Sequence, residues 1–540
     1  MAFWGHRFVS EGKPQMNKYP SIALLSLLCF SGSNPVSADT EAVPKYSEVE
    51  FDLSMVSMDK LGALGIPLES NAATDDKHFV GPVSQYDLSL LAKNNIPYKL
   101  KIQDMAKYYE ERILREKMEA KSLEKQPSGN LTRPPPKNFK HGSFAGFLNL
   151  AEIEKELDEM RKVYPTLVSA KFEIGKSREN RPVNAIRISN NPDVEQNKPR
   201  AVYNTLTHAR EPMAVLSMTY FIWTLLEGYE TDANIKKILD NIEIYYVPCV
   251  NPDGYEYNRS TNPNGGGMWR KNRATNPDGS RGVDPNRNYS VNWGNDAGSS
   301  SAGSSDTHRG PSAFSEPESK NIRDLYLAKK FKISSNFHTF ANKLLHPYGL
   351  GAYPTNRTEY ETVAKEITRV NGWQFGVVPP TIGYSAAGIE IDWAHDFGKT
   401  LAFNPEMGSA ADGGFWPSEG RIDAIAASGL EMNMVMARYA VPTSVRVAMQ
   451  DHNAPIFHAE GAGGQWNFHY QVSDSKKSWF LTVYDLRGKQ SKRYPLSPSG
   501  NSIALPSSEL PGSLYLLEVK SCSEGICKSV YQEKLVTGSH

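Results

Sequence analysis

The sequence has no excess of charge of either sign, little cysteine, and, after its first 30 residues, no hydrophobic run of membrane-spanning length. Lysine plus arginine equals aspartate plus glutamate, at 60 each in 540 residues. A balanced charge offers no general attraction to nucleic acid or to an anionic membrane, so neither is expected as a partner. No later segment has the length and apolarity of a membrane-spanning helix. The chain is long enough for several domains and a large buried core.

Cysteine occurs four times. Cys249 lies in an apolar run, residues 244–250, and is expected to be a buried thiol rather than a nucleophile or a ligand. Cys522 and Cys527 are separated by Ser-Glu-Gly-Ile, where a hairpin turn would bring two strands within disulfide reach. We therefore predict a disulfide between them, which suits an oxidising compartment.

The beginning of the chain has the pattern of an export signal. Lys18 precedes the apolar residues 22–30, and the small residues Val-Ser-Ala at 36–38 are suitable for cleavage before Asp39. The apolar stretch is too short to span a bilayer. Residues 1–38 are thus predicted to be a signal peptide, and the protein is expected to be secreted or periplasmic.

Two histidines and one glutamate have the pattern of a catalytic zinc site. His208 and Glu211 are three residues apart, so a helical turn or tight loop places them on one side. His338 follows a segment of strand length, residues 331–337, and a strand end holds a ligand rigidly. Two imidazoles and a carboxylate leave one position of a tetrahedral Zn²⁺ open for water, as a hydrolytic site requires. We expect one Zn²⁺ in the catalytic domain.

Further motifs accompany these ligands in a fixed order. They are Asn251-Pro252-Asp253-Gly254-Tyr255, Met268-Trp269-Arg270, Asp284-Pro285-Asn286-Arg287-Asn288, Phe314-Ser315-Glu316-Pro317-Glu318, His346-Pro347-Tyr348-Gly349, Ile391-Asp392-Trp393 and Phe403-Asn404-Pro405-Glu406. From about His141 to about Tyr439 the chain resembles the zinc carboxypeptidase family typified by pancreatic carboxypeptidases A and B. The resemblance implies a metallocarboxypeptidase that hydrolyses the C-terminal bond of peptides and proteins that have a free C-terminus.

The resemblance also assigns the chemical roles. Glu406 corresponds to the general base that takes a proton from the zinc-activated water, although Asn404-Pro405 replaces the more usual Thr-Phe before it. Arg270 corresponds to the cation that stabilises the oxyanion. Asp284 matches the carboxylate that accepts the other ring hydrogen of the first histidine ligand and so orients that ring.

Substrate recognition is implied by four further residues. Asn286 and Arg287 correspond to the pair that holds the terminal carboxylate, which a planar guanidinium binds with two hydrogen bonds. Tyr384 corresponds to the residue that closes over the substrate, and Arg210 to a contact further from the chain end.

The preferred last residue of the substrate stays open at this point. The family position at the floor of the pocket falls at Ile391, where an aspartate marks the members that prefer basic residues. Isoleucine favours an apolar or aromatic last residue. The neighbouring Glu390, however, could reach the pocket and attract lysine or arginine.

Three modules follow the signal. Residues 39–122 contain two similar stretches, 61–68 and 90–98, each predicted as a helix end followed by a strand, and resemble the α+β pro-segment of secreted relatives. Residues 123–140 are a proline-containing basic linker that a processing protease could cut. Residues 141–440 are predicted to be an α/β catalytic domain with a mixed sheet flanked by helices. Residues 441–540 are predicted to be a β-sandwich with an accessory or sorting role.

Two other functions are compatible with the same motifs. The enzyme could cleave bacterial cell-wall peptides with the same zinc, although Asn286, Arg287 and Tyr384 favour ordinary peptide ends. Alternatively, the chain could be a non-catalytic peptide-binding protein on this fold, although its complete set of ligands, base and cation argues against that function.

Overall fold

The structure is a computed structural model that describes residues 43–68, 77–122 and 134–442, and the segments 456–462, 465–471, 477–485, 489–497, 502–506, 514–523 and 526–536. The predicted signal peptide and residues 123–133 of the predicted linker lie outside the described residues. No helix within the described part of the chain is long and apolar enough to cross a membrane.

The N-terminal module is a three-stranded antiparallel sheet with helices between its strands. Its elements are β1 (Tyr46–Asp52), α1 (Met58–Ala63), β2 (His78–Ser84), α2 (Gln85–Lys93), β3 (Lys99–Ile102) and α3 (Met105–Ser122). The strand order is β2-β1-β3. A capping box between Ser84 and Asp87 begins α2, because each satisfies a backbone N–H of the other.

The two similar stretches of this module fold differently. The second is the end of α2 followed by β3, as predicted. In the first, residues 66–68 after α1 are not a strand, and the next strand among the described residues begins at His78. Ile66 and Leu68 are buried in the core instead. Pro67 has no N–H to donate to a strand ladder, which is a physical reason for the difference.

The catalytic domain is built on an eight-stranded mixed sheet. Its strands are β4 (Phe172–Lys176), β5 (Pro182–Ile188), β6 (Arg200–Asn204), β7 (Glu243–Val247), β8 (Ile333–Asn336), β9 (Lys343–His346), β10 (Gln374–Val377) and β11 (Leu401–Glu406), in the order β10-β9-β11-β8-β6-β7-β5-β4. The four central strands β11, β8, β6 and β7 are parallel to one another, whereas β9 is antiparallel to β11 and β5 is antiparallel to β7. The predicted mixed α/β sheet is confirmed.

Helices cover both faces of this sheet. They are α4 (Leu150–Val163), α5 (Met213–Gly228), α6 (Ala233–Asn241), α7 (Pro252–Thr261), α8 (Pro317–Lys329), α9 (Arg357–Thr368), α10 (Val378–Ile382), α11 (Glu390–Asp396), α12 (Glu419–Ser428) and α13 (Leu430–Ala440). Because α5 is apolar all round, it lies buried along nearly its whole length. Separate apolar clusters occupy the two faces of the sheet.

The C-terminal region forms two antiparallel sheets. The strands are β12 (Ile456–Ala462), β13 (Gln465–Gln471), β14 (Ser478–Asp485), β15 (Gln490–Leu496), β16 (Ser502–Pro506), β17 (Leu514–Ser523) and β18 (Ile526–Val536), and they pair as β12-β13-β16 and β15-β14-β17-β18. Phe468 and Leu505 of one sheet share a core with Leu481 and Leu517 of the other, which is a sandwich. A disulfide joins Cys522 of β17 to Cys527 of β18.

The parallel strands bring the predicted catalytic residues to one edge of the sheet. His208 lies four residues after the end of β6, His338 lies two residues after β8, and Glu406 is the last residue of β11. Carboxyl ends of parallel strands meet at the same edge, which is where open α/β sheets bind ligands. Residues distant in sequence therefore form one site.

Candidate active site

His208, Glu211 and His338 converge in the interior of the protein. Their ligand atoms lie within 4.8 Å of one another, and each side chain is almost fully buried. The Glu211 carboxylate lies 2.8 Å from Nδ1 of His208 and 2.9 Å from Nδ1 of His338. The two Nδ1 atoms are 2.9 Å apart. Three donor atoms facing one point, with a carboxylate among them, fit a tetrahedral zinc ion.

The surrounding backbone holds these ligands in place. His208 and Glu211 belong to one turn between β6 and α5, in which the Glu211 N–H donates to the His208 carbonyl at 3.3 Å. His338 is fixed by the end of β11, because its N–H donates to Pro405 and its carbonyl accepts from Met407. The rigid sheet edge thus supports both halves of the set.

Burial and charge act differently on the three groups, and burial lowers the pKa of His338 to about 4. Burial would lower the pKa of His208, but Glu211 and Asp284 outweigh it and raise that pKa to about 9. Burial would raise the pKa of Glu211, but the two histidines lower it to about 2. The carboxylate is therefore held in its charged form, as metal ligation requires.

Asp284 connects the first ligand to Arg270. One carboxylate oxygen lies 3.3 Å from Nε2 of His208, and the other accepts two hydrogen bonds from Arg270, at 3.0 and 2.7 Å. Burial opposes the charge on Asp284, yet Arg270 and His208 hold its pKa well below the usual range. A carboxylate on the outer nitrogen of a ligating histidine fixes the tautomer that leaves Nδ1 for metal.

Glu406 lies beside this set, and its two carboxylate oxygens have different surroundings. Its Oε1 accepts a 3.0 Å hydrogen bond from the side-chain amide of Asn404. Its Oε2 is buried and has no hydrogen-bond partner among the described residues. Burial and the negative charge of Glu211 raise the pKa of Glu406 well above its usual value. A carboxylate with raised proton affinity is suited to accept a proton.

The residues assigned to the terminal carboxylate lie next to the metal ligands. The Asn286 amide nitrogen is 3.3 Å from Nε2 of His338, and Arg287 donates to the carbonyls of Gly298 and Asn286 at 2.6 and 2.8 Å. Tyr384 is buried, and it interacts electrostatically with Glu406, Arg287 and Arg270. The structure brings all of these predicted residues into one cluster.

Glu390 and Ile391 occupy the first turn of α11. The Glu390 carboxylate accepts hydrogen bonds from Asn204 at 2.7 Å, Tyr326 at 3.0 Å and Tyr289 at 3.1 Å. Burial raises its pKa to about 7. Ile391 is buried among apolar side chains. The Glu390 side chain is thus committed to three internal donors, which does not favour the idea that it attracts a basic substrate residue.

Arg210 is covered by the N-terminal module. Its guanidinium donates to Asp306 at 3.1 Å, and its central carbon lies 4.8 Å from the ring centre of Phe415 and 5.7 Å from that of Tyr46 in β1. The Tyr46 hydroxyl donates to the same Asp306 at 2.8 Å. Arg210 has no exposed surface in this arrangement. Sequence reasoning missed Tyr46 and Asp306, since neither lies in a recognisable motif.

Helix α3 makes a second contact with the catalytic domain. Arg112 donates to the carbonyls of Gly413 and Trp416, and the Arg112 guanidinium also lies over the Tyr109 ring. Both side chains are buried or nearly so. The module is therefore anchored on either side of Phe415, which itself packs on Phe340 next to the third ligand.

Comparison with known proteins identifies the family. Residues 153–432, more than half of the chain, match the family model described as zinc carboxypeptidase. The chain therefore belongs to the zinc carboxypeptidase family, and the resemblance drawn from its motifs is confirmed. The family binds Zn²⁺, and His208, Glu211 and His338 are the residues that fit it here.

Individual relatives extend the similarity. Carboxypeptidase A2 of Rattus norvegicus is 34% identical over 281 residues, which cover 51% of this chain and 65% of that protein, less than two thirds of its length. Carboxypeptidase A1 of the same species is 30% identical over 392 residues, covering 70% and 86%. The solved carboxypeptidase A of Helicoverpa armigera aligns with a TM-score of 0.59 at 26% identity, covering 74% of this chain and 98% of that one.

Proposed function

We propose that the protein is an exported zinc-dependent carboxypeptidase that removes the last residue of peptides and proteins. The observation that carries this proposal is the convergence of His208, Glu211 and His338 with Glu406 and a group of buried cations at one sheet edge. The rat relatives named above are carboxypeptidases, which supports the same activity. Zinc held by the three ligands would lower the pKa of a water molecule and polarise the substrate carbonyl.

Glu406 is the general base of the proposed reaction. Its Oε2 takes the proton of the attacking water, because Oε1 is already occupied by Asn404. The protonated carboxyl then delivers that proton to the leaving amine, so Glu406 returns to its starting state.

Arg270 stabilises the negative charge that develops on the carbonyl oxygen. It is fully buried, so its charge acts in a medium of low dielectric constant, and Asp284 holds it by two hydrogen bonds. The guanidinium is oriented before the substrate arrives. Such preorganisation costs no rearrangement at the moment of reaction.

Asn286, Arg287 and Tyr384 recognise the free end of the substrate. A terminal carboxylate needs a cation and neutral donors close to the reacting bond, and these side chains lie beside His338 and Glu406. This arrangement supports cleavage after ordinary peptide ends. The apolar environment of Ile391 and the internal engagement of Glu390 together support an apolar or aromatic last residue.

The N-terminal module acts as a pro-segment that covers the substrate-binding face. Tyr46 lies over Arg210, which we assign to substrate contact, and α3 lies against the Phe415 side of the site. The similarity to rat carboxypeptidase A1 covers 70% of the chain and 86% of that protein, so it extends beyond residues 141–440. A processing protease would cut in the linker 123–140, and the C-terminal sandwich would serve as an accessory or sorting domain after export.

The proposal is tested with the intact chain and with the same protein after limited proteolysis in the linker. Both are incubated with blocked peptides that differ only in their last residue, with and without chelator, and products are identified by mass. We expect loss of one C-terminal residue that requires metal, and a loss of rate of about 100- to 10,000-fold in Glu406→Gln. No cleavage by zinc-loaded, proteolysed protein would refute the general carboxypeptidase and leave cell-wall peptides or binding as the functions to test.

A further inference from the structure

Asn404 and Glu406 lie on the same face of strand β11. Alternate residues of a strand point the same way, so the two side chains emerge side by side at the sheet edge. Both are almost fully buried, with relative exposures of 5% and 6%. The Asn404 amide nitrogen is 3.0 Å from Oε1 of Glu406. Two polar side chains are thus paired in a dry environment, where such a hydrogen bond is strong.

Only one orientation of the Asn404 amide fits the charged form of Glu406, which is the form that accepts a proton. A charged carboxylate is purely an acceptor, so the amide nitrogen must face it. The reversed amide would place a carbonyl oxygen against Oε1 with no hydrogen between them. The direction of the bond therefore follows from the chemistry of the pair, and Asn404 is the donor.

The backbone of this segment is fixed independently of the pair. Asn404 and Pro405 pair with Leu345 and Leu344 of β9, and the Pro405 carbonyl accepts from the N–H of His338. These contacts fix the backbone position of Glu406 but not the rotation of its side chain. The rotation of the carboxylate is determined by Asn404 among the described residues, because Oε2 has no partner there.

We propose that Asn404 positions the general base by holding Oε1 of Glu406 and leaving Oε2 to take the proton of water. This inference rests on the proposed function and adds a residue to it. Asn404 acts through Glu406, so it is a positioning residue. Its loss lowers the rate of the chemical step, whereas substrate affinity and metal content stay as they are.

The test uses Asn404→Leu, which removes the donor at nearly constant volume, and Asn404→Ala, which removes the side chain. Asn433→Leu is the matched control, because Asn433 is also a buried asparagine but donates to Met218 instead of a predicted catalytic residue. All variants are made in the intact chain, loaded with zinc and processed in the linker as above. Zinc content and melting temperature are recorded beside kcat and KM for one peptide.

We expect both Asn404 variants to lose about 10- to 100-fold in kcat, the effect of one hydrogen bond to a charged group, with KM within about twofold. Asn433→Leu should keep the unmutated kcat. In a Glu406→Gln background, Asn404→Leu should cause no further loss, since the base on which it acts is gone.

Four results would overturn the inference while leaving the carboxypeptidase itself intact, and the first three concern single variants. They are an unchanged kcat in both Asn404 variants, a change confined to KM, or an equal loss in Asn433→Leu. An additive loss in the double variant would also contradict it, because Asn404 would then act without Glu406. Failure of the proposed function is recognised separately, as inactivity of the unmutated zinc-loaded enzyme.

Discussion

The hydroxyl of Tyr46 donates a 2.8 Å hydrogen bond to Asp306, although 260 residues separate them in sequence. Asp306 also pairs with Arg210, whose guanidinium faces the ring of Tyr46. Tyr46 of the N-terminal module thus contacts both a carboxylate and a cation of the catalytic domain. The contact is small and specific, so single substitutions can test whether the module inhibits the enzyme.

Tyr46→Phe should raise the peptidase activity of the intact chain. It removes only the hydroxyl, and a hydrogen bond to a charged group contributes about 1.5 to 3 kcal/mol, or roughly tenfold or more in module release. Tyr46→Ala should raise it further by removing the ring from Arg210. The rates of the intact and proteolysed proteins are compared for each variant. Tyr108→Phe is the control, because that tyrosine is exposed on α3. Equal rates in all intact variants would contradict an inhibitory role of the N-terminal module.

Asp284→Asn should weaken zinc binding. The carboxylate contacts both Nε2 of His208 and the Arg270 guanidinium. Without its charge it no longer fixes the tautomer of His208 or holds the Arg270 cation. Such outer contacts typically contribute 10- to 100-fold, so about that loss in zinc affinity is expected from competition with a chelator.

The matched control for this variant is Asp253→Asn. Asp253 is another buried carboxylate, but it binds Ser177 and Arg181 and lies outside the ligand set. Its substitution is expected to change the unfolding temperature and leave zinc affinity as it was. A similar zinc loss in both variants would show that Asp284 acts only through general stability.

The ligand set was predictable because its signal is local. His208 and Glu211 have the three-residue spacing that one turn brings to the same side, and the strand before His338 has apolar residues at alternate positions, Phe331, Ile333 and Phe337. The parallel strand order then brings the two parts together, which the family resemblance implied. The mixed sheet, the long buried helix after Glu211 and the C-terminal sandwich likewise follow from hydrophobic patterns that span many residues.

Contacts that depend on side-chain direction could not be predicted from the sequence. Asn404 was visible as an unusual residue before Glu406, but its hydrogen bond required the pleat of β11. The three donors on Glu390 come from two other strand or loop segments and from α8, so its side-chain direction could not be read from the neighbouring Ile391. Such contacts are determined by tertiary packing, which a single sequence does not reveal.

Glu390→Gln and Ile391→Asp should separate the two explanations of substrate preference. Since the Glu390 carboxylate is held by Asn204, Tyr289 and Tyr326, its neutral replacement should leave the ranking of last residues unchanged. Ile391→Asp should shift the ranking toward lysine and arginine, because it adds a charge at the predicted pocket floor. The measurement is kcat/KM for peptides ending in Phe, Leu, Lys or Arg. Selective loss of cleavage after Lys and Arg in Glu390→Gln would instead show that Glu390 attracts a basic last residue.

The stability of the catalytic domain should contain a contribution from Glu318 that falls as pH rises. Burial raises the pKa of Glu318 to about 7, although Asn272 and the Arg178 N–H donate to it. Its usual value is 4.5. A carboxyl whose pKa is higher in the folded state binds more protons there, so its contribution is complete below about pH 4.5 and is lost as pH rises through about 7.

Glu318→Gln cannot titrate, so the advantage of the unmutated protein over this variant should shrink by about 2 kcal/mol between pH 5 and pH 8. The change of this stability difference with pH is the diagnostic quantity. Glutamine also alters the hydrogen bonds from Asn272 and Arg178, but that effect is the same at pH 5 and at pH 8. Urea unfolding followed by tryptophan fluorescence at several pH values measures it. Thr362→Val, a change at an exposed residue that does not titrate, should show a constant difference. If the Glu318→Gln difference is also constant, the buried carboxyl stays charged in the fold, and its two donors outweigh the cost of burial.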